Sequence, residues 1–353
     1  MPLSFRDRVV STVKAAVAGV LYSTGLLGLI LRRRLRGRAV VLMYHRVLTP
    51  EQQQLTASQP GLIVGDATFR RHLAVLKRHL AVLTAGEFLQ HLERRVPFAR
   101  PSCLITFDDG WIDNLQNALP ALRQEGLPAL MFLPVRFIGT RRLFTREAMT
   151  HLLVRAVHAA RTDPSRVETL RADLTPLGLQ HVLDITDPDP RLRIIEAIRV
   201  HRYANGPEFE ALVGRLCATL GVVESELSPL DTFIDWDQVA AMAAERLDFG
   251  GHGADHRVLS LVPPETVRDE VETSKSVLDS RLASAALTFA YPNGGWNRSV
   301  ADTVRQCGYR AAFTIDPGYV SCDDDPMTLR RVAVHDDITR TTPMFLARLA
   351  GVF

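Results

Sequence analysis

The sequence predicts an α/β fold: a parallel sheet with helices outside it. Two observations carry this. From Ala39 to Val135, short apolar runs alternate with stretches of helical periodicity. His45, Asp108, Asp109, His252 and Tyr291 all fall at the ends of apolar runs, where ligands collect when parallel strands close into a barrel.

Residues 39–47, AVVLMYHRV, form the first apolar run and read as a core strand ending in Tyr44, His45 and Arg46. Residues 66–79 place Phe69, Leu73, Leu76 and Leu80 at helical spacing, with Asp66 as the cap. A short strand at Val82 and Leu83 and a helix over 85–93 follow. Leu104 to Phe107 read as a second buried strand. Then come Asp108, Asp109 and the turn residue Gly110, a helix over 114–125 and a buried strand at 129–135. The stretch 141–231 breaks the rhythm: its patterns at 146–160, 191–201 and 207–221 are helical, with Pro and Asp clusters between them. It holds no catalytic-looking cluster and reads as an insertion, either a lid or binding subdomain or a solvated helical decoration. Beyond it, helices are expected over 235–245, 263–282, 301–308 and 342–349, and strands over 287–291, 310–315 and 329–334.

With 353 residues, 46% of them hydrophobic, the chain can bury a sizeable core in one large domain or two smaller ones. Its net charge of +3 is unevenly placed. Residues 1–38 hold eight Lys/Arg and one Asp, a net +7, so the rest of the chain contributes −4. Local basicity without interleaved aromatics excludes a nucleic-acid face and points to a membrane surface. Residues 15–31 are uncharged and run straight into RRRLRGR. As a helix that run reaches about 26 Å, marginal for a bilayer. It lacks a small-x-small cleavage site. The expected readings are an inner-membrane segment with the catalytic domain on the cytoplasmic side, an interfacial anchor, or a buried helix. Cys103, Cys217, Cys307 and Cys322 lie far apart and suggest neither a zinc ribbon nor a disulfide framework.

The chemistry concentrates in two stretches. In LITFDDG a strand delivers two adjacent carboxylates to a loop, so one acid can bind a cation while its neighbour moves a proton. An ordinary Asp109-Gly110 turn is the plain alternative. In LDFGGHGADHRVL, His252 and His256 are four residues apart, a spacing that puts two imidazoles on one face of a helical turn. Two histidines and one carboxylate leave coordination positions open, as catalytic sites do.

TFDDG, the H-x-x-x-H pair and FAYPNGG at 289–295 together resemble the NodB-type polysaccharide deacetylases, over roughly 40–140 and 234–334. The resemblance implies a distorted (β/α) barrel occupying 39–353 and interrupted by the helical insertion 141–231. It implies one divalent metal, zinc first, held by Asp109, His252 and His256, with Asp108 as general base and the Asn293 backbone as oxyanion donor. The family's closing Leu-x-x-His motif supplies the general acid; here Leu42 and His45 fit it on the N-terminal side, as in the circularly permuted branch, with His335 the alternative. Tyr44, Trp111, Tyr291, Pro292 and Trp296 are the candidate substrate contacts. Two positions depart from the family: Gly253 stands where Ser or Thr is usual, and Ala290 where an arginine orients the base. The implied substrate is an N-acetylated glycan or a lipid-linked sugar. Deformylation of a lipid-linked aminosugar and a non-catalytic, membrane-tethered glycan binder are the alternatives.

Overall fold

The computed structural model describes residues 5–200 and 206–353. They fall into two compact units. One comprises Phe5–Gln53, Pro60–Gly139 and Phe233–Phe353; the other contains Gln54–Gln59 and Thr140–Thr232.

The larger unit is built on a curled, mostly parallel sheet. Its strands are β1 (Arg38–Tyr44), β4 (Ala81–Val82), β5 (Ser102–Phe107), β6 (Ala129–Leu133), β7 (Leu247–Gly251), β8 (Thr288–Ala290), β9 (Ala311–Phe313), β10 (Val320–Ser321) and β11 (Val332–Ala333). Two further strands, β2 (Arg46–Leu48) and β3 (Ile63–Gly65), make a separate parallel pair. The main order is β10-β1-β5-β6-β7-β8-β9. Leu329 pairs with Phe313 of β9, and β11 pairs parallel with Leu42 and Met43 of β1. The segment 329–333 therefore links the last strand of the curl to the first. This is the parallel sheet with helices outside that the alternating pattern implied, curled as the resemblance leads one to expect.

Side-chain alternation sorts the strands' two faces. Ala39 and Val41 of β1, Leu104 of β5, Leu130 and Phe132 of β6, Ala290 of β8 and Phe313 of β9 join one buried cluster, with Phe88, Leu89 and Leu92 from the helix Ala85–Glu93. The opposite parity packs outward: Phe289, Tyr291 and Ala312 lie against the helices Pro264–Arg281 and Arg298–Gln306. Tyr44 packs edge-on against Phe69 of the helix Asp66–His79. That helix is capped by Gly65 rather than by Asp66, which is its first residue.

The uncharged N-terminal run is not one straight helix. Helices α1 (Phe5–Ser23) and α2 (Leu26–Arg34) meet at 91°, broken at Gly25 with φ 74°. No single helix among the described residues is long and apolar enough to cross a membrane. Ala18, Leu27 and Leu31 are buried, and both helices pack beside the C-terminal helix Thr342–Leu349.

The smaller unit is helical: Thr145–Thr162, Val167–Leu174, Arg191–Arg199 and Pro207–Leu220 surround a core of Leu152, Leu153, Ile194, Ile198, Leu212 and Leu216. Its buried Asp231 accepts hydrogen bonds from Thr56 Oγ1 at 2.6 Å and Ala57 N at 2.8 Å and pairs with His151 Nε2 at 2.7 Å.

Two outcomes follow. A Cβ at Gly250 would sit 2.5 Å from Thr288 Oγ1 and 2.6 Å from its carbonyl. Gly250→Ala should therefore cost about 1–3 kcal/mol, read as a lower Tm with unchanged far-UV circular dichroism. Buried His72 stacks on Phe345 and donates from Nε2 to the Thr339 carbonyl, so its Nδ1 accepts from the Tyr44 hydroxyl. Burial pushes its pKa from 6.5 down to about 4. The unfolded chain binds this proton first, so the contribution is complete above pH 6.5 and is lost as pH falls towards 4, about 3 kcal/mol in all. Urea unfolding across that range should show a steeper acid loss in the native chain than in His72→Gln.

Candidate functional site

β5 ends where its two carboxylates begin. Continuing the alternation from Leu104 and Thr106 sends Asp108 inward, and its backbone N–H donates to the Tyr44 carbonyl at 3.0 Å. Asp109 then takes a left-handed conformation, φ 77°, followed by Gly110 at φ 71°. A Cβ on Gly110 would lie 2.7 Å from Leu133 Cδ2, so only glycine fits this turn. The turn swings the Asp109 carboxylate away from its neighbour.

Opposite it, the end of β7 presents the histidines. They do not lie on a helical turn as the i,i+4 spacing predicts: residues 252–258 are irregular backbone. Gly253 (φ 74°) and His256 (φ 57°) reverse the chain and bring the rings to 4.9 Å between centroids. Glu270 holds this loop from below, accepting from Ala254 N at 2.9 Å and Asp255 N at 3.0 Å. A side chain at 253 would bring its Cβ to 2.7 Å from Glu270 Oε2, which accounts for the glycine where Ser or Thr is usual. Arg136 ties the same loop, through Asp255, to Asp269 of the helix Pro264–Arg281.

Asp109 Oδ1 lies 3.5 Å from His252 Nε2 and 3.3 Å from His256 Nε2. Its Oδ2 accepts from Trp111 Nε1 at 2.9 Å, while no hydrogen bond is made to the buried Oδ1 among the described residues. His252 Nδ1 faces the Ala290 carbonyl at 2.8 Å. A carbonyl only accepts, so Nδ1 carries the hydrogen and the neutral ring turns a bare lone pair towards Asp109. Lone pairs converging at this range need a proton or a cation between them. Burial pushes His252 down, but the two carboxylates outweigh it and raise its pKa. Burial pushes Asp109 up, and the imidazoles reverse this, holding it well below the usual carboxylate range. The three side chains fit a divalent metal ion.

Asp108 belongs to a second pairing that sequence reasoning missed. Arg331, fully buried just before β11, donates from both Nη atoms to the Asp108 carboxylate at 2.7 and 2.8 Å. Its Nε donates to the Thr314 carbonyl at 2.9 Å. Burial favours a neutral Asp108, but Arg331, with His252 and His45, holds its pKa below the usual range. The arginine that the resemblance leads one to expect at position 290 thus has a counterpart at the other end of the curl.

His45 Nε2 stands 3.8 Å from Asp108 Oδ2. Burial lowers its pKa, against the upward pull of Asp109 and Asp108. Its carbonyl accepts from Asn114 Nδ2 at 2.9 Å, which fixes the break between β1 and β2. His335 lies beside Asp337, 3.6 Å from Nδ1 to Oδ2, and among the described residues no contact joins it to the Asp109 group. Asn293 is exposed in the turn after β8, with φ 52°. Pro292 is buried, and Trp296 is half-buried and stacked on Tyr291.

Three expected substrate contacts need correction. Tyr44, Trp111 and Tyr291 are fully buried. Tyr44 faces His72, and Tyr291 donates to the Met327 carbonyl at 2.9 Å. Trp111 is stacked on Phe233 and under the Arg46 guanidinium, and it supports Asp109 instead.

Removing Arg331 strands a buried carboxylate. Arg331→Met should cost about 3–5 kcal/mol in urea unfolding. In an Asp108→Asn background the same change should cost much less; equal costs would deny the coupling.

Residues 205–312 match the polysaccharide deacetylase family, a stretch that contains His252, His256 and Asn293. YxkH of Bacillus subtilis, named for the same family, is 21% identical over 295 residues, covering 83% of this chain and 70% of that protein. The fold is similar to IcaB from Ammonifex degensii, with TM-score 0.55 and 17% identity, covering 89% of this chain and 97% of that one. It is also similar to the Streptococcus pyogenes deacetylase PplD, with TM-score 0.54 and 17% identity, covering 86% and 95% respectively. With this match carried on a deacetylase-type barrel, the chain is similar to the NodB-type polysaccharide deacetylases, hydrolases of the carbon–nitrogen amide bond.

Proposed function

We propose that the chain removes N-acetyl groups from the amino sugars of a polysaccharide, with one divalent metal ion, zinc first, held by Asp109, His252 and His256. The observation that carries this is the placing of Asp108 and His45, 3.8 Å apart, beside those three ligands. When bound, the ion supplies Lewis-acid polarisation of the amide carbonyl and a lower pKa for water.

The chain's own residues do the rest. Asp108, kept ionised and oriented by Arg331, takes a proton from the attacking water as oxygen bonds to the carbonyl carbon. The backbone N–H of Asn293 is the candidate donor to the oxyanion. The C–N bond then breaks as protonated His45 donates to the leaving amine, giving acetate and a free amino sugar. An amide needs that donation, because an amine anion is a very poor leaving group. Trp296, half-buried just after the same turn, is the remaining substrate-contact candidate; Pro292, buried like the three residues above, is not.

Purified full-length protein should release acetate from a panel of N-acetylglucosamine oligomers. His45→Ala should keep fold and metal and lose about 10²–10⁴ in turnover on amides. It should lose far less on an activated ester, whose leaving group needs little protonation. His335→Ala should be nearly silent; the reverse ranking would exchange the two roles. Elemental analysis should find one divalent ion per native chain and none in Asp109→Ala/His252→Ala. Stoichiometric metal in that double variant defeats the ligand assignment.

A further inference from the structure

The two N-terminal helices leave an apolar face uncovered. Val10, Val13, Val17 and Val20 recur at helical spacing along α1 and are 45%, 56%, 42% and 63% exposed. Leu26 and Leu29 continue the face onto α2 at 44% and 63%. Another side of the pair is engaged: Ala18, Leu27, Leu31 and Leu35 are buried, and Arg34 Nη1 donates to the Gly351 carbonyl at 3.0 Å. Exposed Lys14, Arg32, Arg33, Arg36 and Arg38 surround the face, and no acidic residue occurs between Asp7 and Glu51.

We infer that α1 and α2 dock flat on an anionic lipid surface, the valines and leucines in the acyl boundary and the arginines on the headgroups. Charge decides the occupant. Residues 1–38 carry +7 in a chain whose remainder is −4, so a second copy would meet like charge, whereas an anionic bilayer complements it. Shape decides the mode. The 91° bend at Gly25 divides the apolar run between two helices, and neither is both long and apolar enough to span. A bent pair held against the C-terminal helix can instead lie in the interface plane. The inference does not depend on the catalytic reading.

The test is co-sedimentation of the full chain with preformed phosphatidylcholine vesicles, with and without phosphatidylglycerol. Binding should require phosphatidylglycerol, weaken with salt and be reversed by alkaline carbonate. Arg32→Ser/Arg33→Ser/Arg36→Ser should lower affinity roughly a hundredfold, at about fivefold per arginine. Val13→Asp/Val20→Asp should abolish binding while leaving Tm and acetate release unchanged, since both side chains are exposed. Equal binding to neutral vesicles, resistance to carbonate, or indifference to the valine changes would overturn the inference. So would valine-dependent dimerisation without lipid, seen by sedimentation velocity.

Discussion

The buried pair between Arg331 and Asp108 governs the larger unit. A carboxylate with 2% of its surface exposed and a guanidinium with none must satisfy each other, or each is left with a desolvation cost of several kcal/mol. The guanidinium does more than neutralise. Its planar fork fixes both carboxylate oxygens, its Nε closes on Thr314 beyond β9, and its face lies 5.7 Å from the Phe132 ring centre. Arg331 sits in the segment that links β9 to β1. The residue that draws the two ends of the sheet together is therefore also the one that aims the carboxylate at the site.

The candidate metal cluster has a comparable set of supports. Asp109 is held by Trp111, Trp111 is covered by Arg46, and Arg46 donates to Asp113 at 2.8 Å. Asp113 Oδ1 in turn accepts from Val47 N at 2.7 Å. Together with Asn114 on the His45 carbonyl, these bonds tie the loop after β5 to the end of β1. The histidine loop is fixed independently, through Glu270. Two separately anchored loops meeting over one gap is how a strand-end site reaches the tolerance that catalysis needs.

Much of this was legible in the sequence. Apolar runs and helical spacing located the helices Ala85–Glu93 and Thr342–Leu349 to the residue, Asp66–His79 to within one residue of its cap, and β5 and β6 to within a few positions. Asp108, Asp109, His252 and His256 stood out because polar groups at strand ends are costly without a task. What failed was what requires the third dimension. The histidine spacing read as a helical turn because nothing in the three-residue interval announces left-handed backbone at Gly253 and His256. Arg331 is 223 residues from Asp108, and no local pattern joins them. Tyr44 and Tyr291 could have been read correctly. Ala39, Val41 and Ala290 mark the inner face, so strand alternation already sends both tyrosines outward.

The contact between Gly253 and Glu270 bears on how such a site can drift. With glutamate at 270, serine or threonine at 253 would put a β-carbon 2.7 Å from a carboxylate oxygen, on backbone in a region that side chains rarely adopt. With glycine at 253, the carboxylate is free to take over the loop's two amide hydrogens. The two positions are thus epistatic. A side chain regained at position 253 asks for a shift of the carboxylate at position 270 and brings strain at φ 74°, so a change at one position is felt at the other.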